Sequence, residues 1–291
     1  LIVGYTTDKV KGKWIVEELT NRLGGDIIHA NTYLREGSVP EGTKQVILHG
    51  ILRGTGLIYR ECLLKGIDMY YIDHAYFMPS RHYDERAGWM RITKNAFVQN
   101  QMISRPSSRW RKWFADDPRY RVLPWRGYAQ GGQHILVLPP TPAVKWCFKA
   151  YNWAENVVAQ IRNVTNLPII WREKPGQIKV DKLGFPEGKI ENPSVPAGTI
   201  QSQRPLEYDL ENAHAVISFN SNVAIDATLK GIPVICGEHC PAYPISFSIR
   251  DIGTNKLNIE PNRKKWLYNL AYSQFSMGEI RSADCWRILN D

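Results

Sequence analysis

Residues Glu211–Pro244 read ENAHAVISFNSNVAIDATLKGIPVICGEHCPAYP, and the grammar of this stretch sets the fold class. Ala215–Phe219 is a short apolar run suited to a buried strand, Asn220-Ser221-Asn222 a helix-capping loop, Val223–Lys230 a helix stopped by Gly231, and Ile232–Cys236 a second apolar strand. This is a strand–turn–helix–strand unit. With the two strands parallel, the helix starts at the carboxyl edge of a sheet, where unpaired N–H groups and the helix dipole favour a phosphate. The plainer alternative is a βαβ unit whose Ser and Asn only cap a helix.

Working outward, 291 residues favour two domains of about 130–150 residues each. A hydrophobic fraction of 43% is enough to fill their cores. No apolar run approaches the roughly 18–20 residues needed to cross a bilayer, and no signal-peptide pattern opens the chain, so a soluble protein is expected. Leu1 begins a strand-like run, so an initiator Met or a few residues are expected to precede it. The five cysteines, Cys62, Cys147, Cys236, Cys240 and Cys285, are odd in number and scattered. That suits a reducing compartment, and a cytoplasmic location is expected. Zinc at Cys236, His239 and Cys240 is disfavoured because no second ligand pair follows at a finger-like spacing.

The N-terminal half alternates strand and helix. Strands are expected at Leu1–Tyr5, Ile27-Ile28, Gln45–His49 and Met69–Asp73, with helices over Gly12–Leu23 and Leu57–Lys65. Trp14, Ile15, Leu19 and Leu23 share one helix face, and Gly24-Gly25 stops that helix. Strand–helix–strand order implies a parallel, doubly wound sheet whose ligands sit at the carboxyl ends of its strands. Those loops hold Thr6, Thr7, Asp8 and Lys9, then Arg53, then Asp73-His74 within YYIDHAYF at 70–77. Asp73 or His74 is a candidate base for deprotonating a hydroxyl, and only one of them should face substrate because neighbours on a strand point opposite ways. The alternative is an Asp capping a turn beside a packed His. Arg91, Lys94 and Asn95 in RITKN at 91–95 either hold phosphate or form a solvated strand edge.

The net charge is +9 and the pI about 9.3, favouring anionic partners. More than half of that charge sits in SRPSSRWRKWFADDPRYRVLPWRGY, residues 104–128. There Arg105, Arg109, Arg111, Lys112, Arg119, Arg121 and Arg126 alternate with Trp110, Trp113, Phe114, Tyr120, Trp125 and Tyr128. Cations for a backbone and aromatic faces for bases are what a nucleic-acid channel combines. An amphipathic linker with its aromatics on the sheet and its arginines in water fits the same residues.

The second half repeats the architecture after a hinge at Gly131-Gly132. His134–Leu138 and Pro168–Trp171 are strands, Val144–Asn163 a helix, and Pro205–Asn212 a short helix leading into the central unit. Residues 176–205 form a long irregular link, an excursion or a lid. Arg263–Leu270 and Met277–Leu289 are closing helices.

The central segment ISFNSNVAIDATLKGIPVI resembles the donor side of GT-B glycosyltransferases, especially capsule-polysaccharide and phage-encoded branches. HILVLPP at 134–140, LPIIWREKP at 167–175 and LAYSQFSMGEIRSADCW at 270–286 resemble it too, in the expected order, so the resemblance covers roughly the C-terminal half. It implies two Rossmann-like, doubly wound α/β lobes with a cleft between them, an acceptor lobe over 1–130 and a nucleotide-sugar lobe over 131–291. Arg172, Lys174, Ser218, Asn220, Ser221, Asn222, Glu238 and His239 would then bind the donor, a UDP-sugar by expectation. Asp73, His74 and Asp8 are the catalytic candidates. No Asp-x-Asp motif occurs, and no metal or other cofactor is expected. With the basic-aromatic segment counted in, the expected acceptor is DNA carrying hydroxylated or hydroxymethylated pyrimidines, flipped from the stack. Arg53, Arg105, Arg109, Trp110, Arg111, Lys112, Trp113 and Arg121 would hold it. The competing readings are a surface-polysaccharide transferase using the same lobes and a non-catalytic nucleic-acid-binding protein.

Overall fold

The computed structural model describes residues 1–78, 88–127, 132–190 and 195–291. Tyr128, Gly131 and residues 191–194 of the long link lie outside the described residues. The first half runs β1 (Ile2–Thr6), α1 (Val10–Arg22), β2 (Asp26–His29), α2 (Ala30–Glu36), β3 (Gln45–His49), α3 (Thr55–Lys65), β4 (Asp68–His74), β5 (Trp89–Lys94) and α4 (Ser108–Trp113). The second half runs β6 (His134–Leu138), α5 (Pro142–Phe148), α6 (Trp153–Arg162), β7 (Ile169–Trp171), β8 (Ile178–Val180), β9 (Pro186–Lys189), β10 (Ile200–Gln201), α7 (Leu206–Glu211), β11 (Ala213–Ser218), α8 (Val223–Leu229) and β12 (Val234–Cys236). The chain closes with α9 (Arg263–Ala271), β13 (Gln274–Ser276), α10 (Met277–Arg281) and α11 (Asp284–Asn290). Among the described residues no helix is long and apolar enough to cross a membrane.

Two sheets result. The first has the order β13-β5-β4-β3-β1-β2, the second β10-β7-β6-β11-β12. The second is parallel throughout, but the first is mixed, because β5 lies antiparallel to β4 and β13 antiparallel to β5. The all-parallel expectation therefore fails at one edge, where β13 carries the chain's end back to the first sheet. Residues on alternate sides of each strand build separate cores, as the period of two requires. Ile47, Tyr70 and Ile72 meet Ile15, Leu19, Ile280 and Cys285 on one face, and Val46, Leu48, Met69 and Tyr71 meet Tyr33, Ile58, Tyr59 and Trp146 on the other. The first sheet is thus covered on both sides, as expected of a doubly wound unit.

A third core joins the halves. Ala75, Tyr76 and Phe77, just past β4, pack with Trp110, Phe114 and Tyr120 and with Leu136, Ile225, Leu229 and Trp266 of the second half. The segment after α4 is pinned to the second sheet by backbone bonds, Leu123 N–H to Leu229 O (2.8 Å) and Arg126 N–H to Gly231 O (2.9 Å). Gly231 there has φ 76°, and a Cβ would stand 2.1 Å from the Pro124 oxygen. A left-handed non-glycine residue costs about 1–3 kcal/mol before any clash. Gly231→Ala is therefore expected to lower stability by at least that amount, read as a reduced denaturation midpoint; an unchanged midpoint would mean that this docking is not needed.

Candidate active site

In an open α/β sheet, ligands collect where consecutive connections leave neighbouring strands in opposite directions. In the first sheet β2 lies on one side of β1 and β3 on the other, so the loops after β1 and β3 diverge. Asp8 stands on the first of these loops with its side chain 82% exposed, and His29, the last residue of β2, brings Nε2 to 3.2 Å from Asp8 Oδ1. Arg53 stands on the second loop with φ 60°, its backbone N–H donating to the Gly184 carbonyl at 2.9 Å. That contact folds the β8–β9 hairpin over this edge. The link at 176–205 was expected to be irregular, but it contains this two-stranded unit.

Asp73 and His74 end β4 one strand farther along. Asp73 is only partly exposed while His74 is exposed, in keeping with the alternation along a strand. Both carboxylate oxygens of Asp73 are already engaged. Oδ2 accepts from the Tyr71 hydroxyl (2.8 Å) and Arg91 Nη2 (3.1 Å), and Oδ1 from the His74 N–H (2.8 Å). Arg91 is buried, its guanidinium 5.1–5.7 Å from the ring centroids of Tyr71, Tyr76 and Phe97. Burial alone would raise the Asp73 pKa, but Arg91, with His74 and His49, holds it well below the usual carboxylate range. So acidic a carboxylate is a poor proton acceptor at neutral pH. Asp73 is built as a structural anion, and its placement argues against the base role expected for it. Arg91 belongs to this network and not to a solvated strand edge.

In the second sheet the divergence falls between β6 and β11. The organising turn of the sequence, Phe219–Asn222, therefore lies at the second crevice. Ser218, buried, accepts the Ser221 N–H on Oγ (2.9 Å), and Ser221 Oγ accepts the Val223 N–H (3.2 Å). The Ala224 and Ile225 N–H groups are also taken, by the carbonyls of Ser221 and Asn222. The first donors of the seven-residue α8 are thus satisfied within the turn. The phosphate cradle expected at this helix start is largely closed by the turn itself. Asn220 is half-buried beside it, and Asn222 reaches outward, its Nδ2 donating to the Ala75 carbonyl at 3.3 Å.

Glu238 and His239 follow β12. The Asn100 amide donates to the Glu238 carbonyl (2.9 Å), so a loop of the first half is tied to this edge a second time. The His239 ring stacks on Phe148 with centroids 4.0 Å apart and meets Phe219 at 5.3 Å. Burial lowers its pKa despite the opposing Glu238 carboxylate. Cys236, His239 and Cys240 do not converge as ligands: among the described residues no group of three His, Cys, Asp or Glu side chains is placed to hold a metal.

Arg172 and Lys174 leave β7, one strand away from the second crevice. They line a cavity of about 290 Å³ with Glu173, Gln177, Ser202 and Arg204. Arg172 Nη1 is spent on Asp209 Oδ2 (2.8 Å) and the Arg204 carbonyl (2.5 Å). Lys174 and Arg204, both exposed, are the other cations lining this cavity.

The basic-aromatic segment needs correction. Arg109 is buried and clamped: Nε donates to the Ala271 carbonyl (2.6 Å), Nη2 to the Gln274 carbonyl (2.7 Å), and both terminal nitrogens grip the Glu279 carboxylate. Trp110 is buried against Phe77 and Phe114. These two residues cannot touch a nucleic acid because they hold α4 to α9, β13 and α10. Arg105 lies over Tyr272 at 5.4 Å; Arg111, Lys112, Trp113 and Arg121 are exposed. His29 and the helix it caps, α2, were not anticipated, and a polar heptapeptide with only Ala30 and Tyr33 buried offers little periodicity to find.

No family model matches the chain, and no curated protein sequence does. Among solved structures, the chain is similar to Thermosulfurimonas dismutans KpsC described as a beta Kdo 2,7 transferase, with a TM-score of 0.49 and 12% identity over 99% of this chain and 98% of that one. It is also similar to KpsC of the same organism described as a beta Kdo 2,4 transferase, with a TM-score of 0.44 and 12% identity over 94% of this chain and 91% of that one. At this similarity neither defines the fold or the activity of the chain, which rest on its own residues.

Proposed function

We propose that this chain is a nucleotide-sugar-dependent glycosyltransferase whose acceptor is a glycan. One observation carries the reading: Asn222, on the turn at the second sheet's crevice, is bonded to Ala75 just past the carboxyl end of β4 in the first sheet. The carboxyl edges of two α/β sheets therefore meet. A transferase needs that meeting, because donor and acceptor must be held side by side in one desolvated space. The donor belongs to the second sheet, with Lys174 and Arg204 meeting the phosphates in a cavity large enough for a diphosphate, and Ser218, Ser221, Asn222 and the Glu238-His239 loop contributing from the same sheet's carboxyl edge. The acceptor belongs to the first sheet, at Asp8, Arg53 and His74. In this reading the donor unit spans about 132–271, and residues 274–290 return to the acceptor unit.

The DNA reading loses its central support because Arg109 and Trp110 are internal. Arg111, Lys112, Trp113 and Arg121 remain as exposed cations and a ring, which an acidic polysaccharide meets equally well. The first test is thermal stabilisation by UDP-glucose, UDP-N-acetylglucosamine, GDP-mannose and CMP-sialic acid. At least one should raise the melting temperature, and Lys174→Ala and Arg204→Ala should each weaken that ligand about tenfold, the loss of one charge-assisted hydrogen bond. No stabilisation by any nucleotide-sugar, with tight salt-dependent binding to unmodified DNA, would instead favour a nucleic-acid-binding protein.

A further inference from the structure

We infer that Asp8 is the base that takes the acceptor hydroxyl's proton and that His29 is the positioning residue that aims it. The inference rests on the transferase reading and refines it. Of the residues that the sequence offered as acid–base groups, Asp8, Asp73 and His74 all stand at the first sheet's carboxyl edge, and the two carboxylates differ in their surroundings. Asp73 is removed because both of its oxygens are committed to Tyr71, Arg91 and the His74 backbone. Asp8 differs in position and in freedom: it stands on the loop leaving β1, where β1 and β3 part, and 82% of its side chain is exposed.

His29 gives that carboxylate a direction. Its Nδ1 accepts the Asn31 backbone N–H at 3.2 Å, the bond that caps α2. A ring nitrogen that accepts carries no proton, so the proton of the neutral imidazole is on Nε2. Nε2 is the atom 3.2 Å from Asp8 Oδ1. The ring therefore presents a donor to Asp8 and has no lone pair left for the reaction, while Asp8 keeps Oδ2 for substrate. An orienter fixed by its second nitrogen is the arrangement by which proton-transfer groups are held in place.

The step balances. The acceptor oxygen forms a bond to the anomeric carbon, the bond from that carbon to the donor phosphate oxygen breaks with its electron pair staying on phosphate, and the hydroxyl proton passes to Asp8 Oδ2. Water serves as the acceptor when none is supplied, so nucleotide release from a bound nucleotide-sugar reports the same transfer.

Two measurements test this on the full chain. Long-range ¹H–¹⁵N correlation of His29 in the free protein should show the Nε2–H tautomer; the Nδ1–H tautomer would overturn the assignment, whatever the protein's activity. Nucleotide release from whichever of UDP-glucose, UDP-N-acetylglucosamine, GDP-mannose or CMP-sialic acid stabilises the protein should fall about 10²–10⁴-fold in Asp8→Asn, with thermal stabilisation by that donor unchanged. His29→Ala should lower kcat with KM unchanged, and His29→Gln, which keeps a side-chain N–H, should lower it less. Undiminished release in Asp8→Asn, or equal loss in the two His29 variants, would overturn the inference while leaving the transferase reading intact. A parent protein that no nucleotide-sugar stabilises or reacts with would overturn that reading, and the tautomer would still judge the pair.

Discussion

Arg109→Ala is expected to cost about 3–5 kcal/mol of stability, the loss that follows when one partner of a buried ion pair is removed. The Arg109 side chain is 9% exposed and that of the facing Glu279 20%. Removing the cation leaves Glu279, two backbone carbonyls and a cluster of rings around Trp89 and Phe275 without their common partner. Glu279 also closes a capping box with Ser276 at the start of α10, so the damage should spread to the return of the chain end onto the first sheet. Chemical denaturation reads the effect. Equal exchange of an exposed cation, Arg111→Ala, should stay within about 0.5 kcal/mol of the parent. A stable Arg109→Ala that had lost affinity for polyanions would restore this residue to a binding surface.

Asp73→Asn should be nearly as costly at neutral pH, about 3–5 kcal/mol, because Arg91 would keep its charge in a buried ring cage with no counter-ion. The pH dependence follows from the direction of the shift. The Asp73 pKa is lower folded than unfolded, so its contribution is complete above the ordinary carboxylate value near 4 and is lost as the pH falls toward the folded value. The gap between parent and variant should therefore be constant from neutrality down to about pH 5 and narrow only in stronger acid. Stability equal to the parent, combined with abolished turnover, would return the base role to Asp73 and remove it from Asp8.

Much of the architecture was legible where burial was strict. The strands Gln45–His49 and His134–Leu138 are as expected from end to end, because a strand buried on both faces leaves an apolar run bounded by turn residues. The expected helix over 144–163 is two helices, broken where Lys149 takes φ 54°; both pieces keep helical spacing, and no Gly or Pro marks the break. Met277–Leu289 divides likewise at Ala283, φ 57°. The β8–β9 hairpin left no alternation because its strands are mostly exposed. Non-local pairing hid the rest. Nothing near Arg109 announces Glu279, 170 residues on, and a basic run disguised a structural arginine as one more surface cation. Asp8 was legible as a loop residue at a strand end, but its partner was not, since His29 belongs to a short strand with its first two residues exposed. The organising turn at Phe219–Asn222 was correctly placed at a carboxyl edge. Its chemistry changed, because Ser218 and Ser221 close the donors that the sequence left open for phosphate.

The most direct test of the account is a competition for sugar transfer. The protein would be incubated with the nucleotide-sugar panel, bacterial surface oligosaccharides and DNA containing hydroxymethylated pyrimidines, and every acceptor weighed by mass spectrometry. The meeting of the two carboxyl edges predicts sugar transfer, and the burial of Arg109 and Trp110 predicts that the gain of one sugar residue falls on an oligosaccharide and not on DNA. A gain on the base alone would contradict the glycan acceptor, and no gain on any acceptor, with no nucleotide-sugar bound, would contradict the transferase itself.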